Sequence, residues 1–216
     1  MSETRIGAPS ASGRAFLWTF ERFAGLCAIG AGLGGIAYSL AFVIGLDSDA
    51  DVWRYAQALL LLSGGLLATA VFVALNDRLR AADPAFSLWA LVLGLVGALG
   101  SALHGGHDLA NLLNPPELAT SGPSYVDPRG LGTFALTGLS ILVFSLLALR
   151  SGLLPRRLAF LGLLAAALLV WVYIGRLVIL DPESAGVLPF AVLLGFVVSP
   201  AWYVWLGATL LRASQP

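Results

Sequence analysis

The chain has 216 residues, 12 Lys+Arg and 12 Asp+Glu for a formal net charge of zero, 58% hydrophobic and 11% charged residues, and a mean hydropathy of +0.88. Soluble domains average about 45–50% apolar and about 25% charged, so an ordinary soluble domain, a disordered chain and a nucleic-acid binder with its basic face are excluded. A single Cys rules out a disulfide framework and a Cys-based zinc site, which leaves an integral membrane protein.

A helix needs about 20 mostly apolar residues to cross about 30 Å of hydrocarbon, and six stretches meet that rule. Residues 1–15, MSETRIGAPSASGRA, are polar and read as a disordered cytoplasmic tail; residues 16–212 read as one transmembrane domain. The first span is Phe23–Leu46, too long for a signal-peptide core and followed by no small-residue cleavage site. Glu21 and Arg22 at its entrance are expected to form an interfacial ion pair, and Cys27 within it to behave as a small hydrophobe. Asp47, Asp49, Asp51 and Arg54 then make an acidic solvated loop that lacks the pattern of an EF-hand. The second span is Ala56–Leu75, and NDRLRAADP turns the chain with Pro84 at a helix entry. The third starts at Ala85, is apolar to Leu103, and is expected to continue as helix to Leu113.

Asn114–Arg129, NPPELATSGPSYVDPR, carries four prolines and stops that helix. The fourth span is Gly130–Leu149, and RSGLLPRR forms the next hairpin with Pro155 at a helix entry. The fifth span is Leu158–Leu180 and the sixth Val187–Leu211, kinked at Pro200. These runs are continuous, where a barrel would alternate, so the fold class is an all-α polytopic transmembrane bundle of six helices.

All basic residues are Arg. Arg5, Arg14, Arg22, Arg78, Arg80, Arg150, Arg156, Arg157 and Arg212 fall on one side; Arg54, Arg129 and Arg176 fall on the other. The positive-inside rule places both termini in the cytoplasm. Trp18, Trp89, Trp202 and Trp205 are then expected near the inner interface, and Trp53 and Tyr55 near the outer one. Nine Arg against four acids make the inner side +5, and three Arg against eight acids make the outer side −5, so the zero is the sum of two opposite faces.

Small residues recur on the spans: Gly30-x-x-x-Gly34, Gly64-x-x-x-Ala68, the Gly94, Gly97, Gly100 and Ser101 series, and Gly162-x-x-x-Ala166. In lipid such residues mark close helix contacts. They argue for one bundle and allow homo- or hetero-oligomers.

One constellation has the composition of a site. His104, His107, Asp108 and Asn111 are spaced i, i+3, i+4 and i+7, a single helical stripe, and hold both histidines of the chain. The stripe continues Gly97, Gly100 and Ser101, so it is expected to face the bundle or a cavity at its outer end, provided Gly105-Gly106 does not break the helix. Arg176 lies at a similar depth, either snorkelling to the interface or pairing with Asp108, Asp181 or Glu183. His104, His107 and Asp108 offer three ligands to a divalent metal, and one His could ligate a haem axially. A proton relay is a further reading, and a hydrogen-bonded structural cluster another; no cofactor is required. P-loop, G-x-S-x-G, H-E-x-x-H and dinucleotide-binding G-x-G-x-x-G motifs are absent from the sequence.

Glu21-Arg-Phe-Ala-Gly-Leu, the hairpin from Leu149 through Pro155-Arg156-Arg157, and Pro200-Ala-Trp-Tyr-Val-Trp-Leu-Gly resemble uncharacterised bacterial six-helix membrane proteins of the DUF4386-like group. The resemblance implies a six-helix bundle in a bacterial inner membrane and transfers no activity. The sequence thus points to a non-enzymatic structural, accessory or sensory bundle with a polar cluster at its outer face. The alternatives are a small transporter or proton/cation-handling protein, and an intramembrane metal- or haem-binding enzyme.

Overall fold

Asp-Pro pairs, apolar runs and glycines translate directly into helices. A computed structural model describes residues 19–46, 48, 50–114, 126–179 and 184–213. The first three helices are α1 (Phe20–Leu46), α2 (Asp51–Leu79) and α3 (Pro84–Leu113). The fourth span opens with a 3-10 turn, Pro128–Gly130, and a π-helical segment, Leu131–Leu136, before α4 (Thr137–Ser151). Next come α5 (Arg156–Val178) and α6 (Leu188–Leu193), a second π-helical segment (Leu194–Val198), and α7 (Ser199–Ala213). The described residues contain no strand, and six of the helical stretches are long and apolar enough to cross a membrane.

Six helical stretches overlie the apolar runs read from the sequence, and α1 and α2 extend beyond theirs. The second helix begins at Asp51, not Ala56, so Trp53, Arg54 and Tyr55 lie on its first turns. The expected tail 1–15, Trp18, Asp47, Asp49, Glu117, Asp181 and Glu183 lie outside the described residues.

Successive helices pack side by side, and the sixth span returns to the first, closing a ring. Glu21, Arg78 and Leu153 meet at the end that carries Thr19 and Ala213, here called the termini end. Tyr55 donates to Leu112 O at 3.0 Å and Gln57 to Ala41 O at 3.0 Å at the other, distal end. Arg78 pairs with Glu21 and donates from Nε to Leu153 O at 3.4 Å. This corrects the expected Glu21–Arg22 pair: among the described residues Glu21 takes its cation from α2, because Arg78 projects from the last turn of a packed neighbour whereas Arg22 is exposed.

The termini-end half of the ring is closely filled, with a cavity of only about 10 Å3 beside Leu75, Phe144 and Trp202. Phe72 stacks on Phe144 with centroids 6.4 Å apart, among fully buried Leu75, Leu79, Leu158, Leu206 and Leu210. Trp202, expected at the interface, is instead 3% exposed and makes an edge contact with Tyr203 at 4.9 Å. Trp89 and Trp205 do keep exposed faces. The outward surface is apolar: Leu88, Val92, Val96, Leu99 and Leu103 line one side of α3, while its buried residues are Ser87, Ala90, Gly94, Gly97, Ala98, Ala102 and Gly105. Large apolar groups outside and small residues inside are what a helix bundle in lipid requires, since only close contact holds its helices together.

The tightest seam joins α2 to α3. A Cβ on Gly65 would stand 2.5 Å from Ala98 O, and one on Gly105 would stand 2.5 Å from Ala58 O and Leu62 N. The chain stays α-helical through Gly105-Gly106 because Gly105 is needed for this approach and its backbone bonds remain within the helix. Gly106, by contrast, has only Leu62 Cδ1, at 3.9 Å, as a neighbour of its would-be Cβ. Gly105→Ala should therefore lower stability by about 2 kcal/mol, while Gly106→Ala should be neutral or stabilising by up to ~1 kcal/mol. Thermal unfolding of the two variants in the same detergent checks this pair.

Candidate functional site

The third helix delivers its polar residues to the distal end in two groups. Ser101, His104 and Asp108 continue the inward face of Gly97. Ser101 donates to Thr133 Oγ1 at 3.1 Å, and the His104 side chain is 24% exposed. His107 and Asn111 are exposed and sit nearer the outward face that carries Leu99 and Leu103. One carboxylate joins them: Asp108 Oδ2 lies 3.3 Å from His104 Nε2, and Asp108 Oδ1 lies 3.8 Å from His107 Nδ1. Asn111 Nδ2 sits 3.2 Å from His107 Nδ1. The four sequence-selected residues thus form a chain of mutual contacts rather than a convergent ring. Among the described residues, no group of three or more His, Cys, Asp or Glu is arranged to hold a metal ion.

A second carboxylate, which the sequence reading used only as a charge, is more deeply held. Asp127 is 4% exposed. It accepts from Gly132 N at 2.7 Å, Thr133 N at 3.0 Å and Thr133 Oγ1 at 2.6 Å. These N–H groups are the free donors at the start of the fourth span, where a negative charge is favoured. Arg129 and Gly130 turn the backbone through left-handed conformations, φ 57° and 79°, to bring those donors round to the carboxylate. The local signal was present: Asp127-Pro128 repeats Asp83-Pro84, in which Asp83 caps α3 through Ala85 N and Phe86 N, both at 3.1 Å. Ser101, Thr133 and Asp127 therefore form a directed relay of hydroxyl donors from α3 into the fourth span.

Arg176 comes to the same end from α5. Its guanidinium carbon lies 5.4 Å over the ring of Phe134, and its carbonyl accepts from Arg129 Nη1 at 3.3 Å. It makes no ion pair with Asp108; the proposed partners Asp181 and Glu183 lie outside the described residues. Asp127 and Arg176 both lie within electrostatic reach of His104, and Arg176 and Asp108 within reach of Tyr38. The structure so groups His104, Asp108, Asp127, Arg176 and Tyr38, of which sequence reasoning had named three.

Beside this cluster the ring borders a partly open chamber of about 200 Å3, with walls from all six spans. A Cβ on Gly34, Gly35 or Gly64 would meet nothing within 4 Å, and all three line the chamber. The expectation that small residues mark helix contacts therefore holds for Gly65, Gly94, Gly97, Gly105 and Gly162. For Gly34 and Gly64 it is corrected: these make empty space. An adjoining cavity of about 150 Å3 reaches Arg176 and shares Tyr38, Phe134, Leu194 and Gly195 with the chamber. Both π-helical segments border it, through Thr133 and Phe134 in the first and Leu194 and Gly195 in the second. The second segment stands directly before Pro200. That proline has no N–H to give the preceding turn, and the expected distortion of the sixth span takes this form.

Comparisons with family models, curated proteins and solved structures find no match.

Removing Asp127 leaves two N–H groups and one hydroxyl buried without an acceptor, so Asp127→Ala should destabilise by about 3 kcal/mol. His104→Ala should cost about 1 kcal/mol, and exposed His107→Ala less than about 0.5 kcal/mol. Ranking the three by thermal unfolding in detergent tests which of these groups the fold depends on.

Proposed function

We propose that the chain is a non-enzymatic accessory or sensory bundle of a bacterial inner membrane, with both termini in the cytoplasm. Its His/Asp cluster acts as a polar plug over an internal chamber. The observation that carries this reading is the pairing pattern at the distal end. His104, Asp108, His107 and Asn111 use their polar groups on one another, on α3 just beyond Ser101, which lines the cavity walled by the whole ring. The nine-to-three division of Arg supports the orientation. The bilayer is the proposed surrounding. Outward stripes are built of Leu, Val and Phe, so the small-residue seams serve the chain's own helices before any second subunit. Metal and haem binding by His104, His107 and Asp108 gains no support from this arrangement.

A second reading, a small proton- or cation-handling transporter, is favoured by one feature. Asp108 sits between two imidazoles, one of which, His104, lies within electrostatic reach of Asp127 and Arg176. The acidic distal side would attract a cation or proton over an anion.

Single thiols separate the orientations. In a Cys27→Ala background, Ala81→Cys lies in the α2–α3 turn and Asn114→Cys just past the end of α3. A membrane-impermeant maleimide on intact cells should label Asn114→Cys and spare Ala81→Cys until the cells are opened; the reverse pattern would place the termini outside. Proteoliposomes should pass protons no faster than protein-free vesicles. A flux that Asp108→Asn removes without unfolding the protein would replace the plug by the transporter reading.

A further inference from the structure

Parts of the chamber wall on α1 and α2 leave space open. Gly34, Gly35 and Gly64 withhold side chains that their positions could accommodate. Two π-helical segments, from different spans, border the same cavity. Such wide turns are rare and concentrate at functional sites, and their convergence on one cavity is independent of the glycines.

Two tyrosines finish the picture. Tyr38 and Tyr203 lie deep in the bundle, yet each keeps part of its surface open, and both line the chamber. No hydrogen bond is seen for either hydroxyl among the described residues, and both hydroxyls keep accessible surface, the fully buried side-chain atom without a partner there being Ser184 Oγ. Of the other hydroxyls on the wall, Thr137 donates to Gly132 O at 3.2 Å, Ser101 to Thr133 and Thr133 to Asp127, and no bond from these or from Ser199 to either tyrosine is seen. A buried phenol normally finds a partner. Water alone leaves much of this space without partners, since an ordered water wants two to four polar neighbours and the walls are mostly Gly, Ala, Leu, Ile and Phe, with Ser101, Thr133, Thr137 and Ser199 the hydroxyls beside the tyrosines. What fits is an apolar body that brings its own acceptor oxygen.

We infer that the chamber is a binding site for a lipophilic molecule, the size of a naphthoquinone or a medium-chain fatty acid, that bears a carbonyl or carboxylate oxygen. Tyr38 and Tyr203 donate to that oxygen, and the space beside Gly34 and Gly64 takes the apolar body. Carbonyl and carboxylate lipophiles share this chemistry; they differ at the mouth, where Arg176 borders the adjoining cavity and offers a bidentate donor to an anion. The inference deepens the reading as a binding or sensory bundle and is independent of its orientation.

The test uses the full chain in lipid nanodiscs, titrated by calorimetry with 2-methyl-1,4-naphthoquinone, with decanoate, and with 2-methylnaphthalene as the oxygen-free control. One oxygenated probe should bind saturably at one per chain, at least about 10-fold tighter than the control. Tyr38→Phe and Tyr203→Phe should each weaken it about 5- to 10-fold with unfolding temperatures kept. Gly64→Leu, which grows into open space, should abolish it. Loss on Arg176→Gln identifies the carboxylate as the favoured source, and indifference to that change identifies the neutral carbonyl. The inference is overturned if neither oxygenated probe binds, or if binding survives both tyrosine changes and Gly64→Leu. Absent binding with silent vesicles would leave the plug reading intact, whereas a proton flux alongside specific binding would remove the plug and keep the site.

Discussion

A backbone surrounded by apolar side chains has no water to bond, so each peptide group must find its partner inside the chain. Three features of this protein follow from that one constraint. The third helix runs unbroken through Gly105-Gly106, where an isolated glycine pair in water would invite a turn. Pro200 cannot donate, and the preceding residues Leu194–Val198 adopt a wide turn in place of a regular one. At the start of the fourth span, where free N–H groups are inevitable, the chain buries a carboxylate to receive them.

That constraint also divides the molecule along its axis. At the termini end the helices are straightforward, and large side chains such as Phe72, Phe144 and Leu206 fill the space between them. At the distal end both departures from α-helical geometry occur, and with them the cavity. A π-helical turn widens the helix and shifts the side chains beyond it, so facing elements no longer interlock. The hydroxyl relay from Ser101 through Thr133 to Asp127 holds the widened fourth span against α3. The distal half stays connected by polar bonds where it gives up packing.

Much of this architecture can be read from residue order. Runs of about 20 apolar residues mark six helical stretches, each long and apolar enough to cross a bilayer. Helix starts at Pro84 and Pro128 follow from Asp-Pro pairs, although the second was legible only by analogy with the first. His104 and Asp108 were legible because titratable groups are scarce in such a chain, and their i, i+4 spacing made contact a geometric necessity. Tyr38 and Tyr203 were not. A tyrosine in an apolar helix looks like any aromatic core residue until its neighbours are known. Trp202 misled for the same reason: its amphipathic ring suits an interface, and only the opening beside Gly162 explains its burial. The Glu21–Arg78 pair joins residues 57 apart in sequence, a separation that no local pattern encodes.

The glycines show why pattern alone stops short. Gly64 and Gly65 are adjacent, identical and on one helix, yet Gly65 presses its backbone against Ala98 and Ala102 while Gly64 faces open space. A 100° step around the helix separates them. That step decides whether the absence of a side chain lets two helices meet or leaves room for something else. The first use strengthens the bundle through close contact. The second costs contacts that a larger side chain would supply, and here it recurs on α1 and α2 facing the same interior. Packing alone would favour filling those positions, since the Cβ of an Ala at Gly64 meets nothing within 4 Å. A chain that leaves them empty on two facing helices, and widens two further spans around the same cavity, has traded packing for space beside Tyr38 and Tyr203.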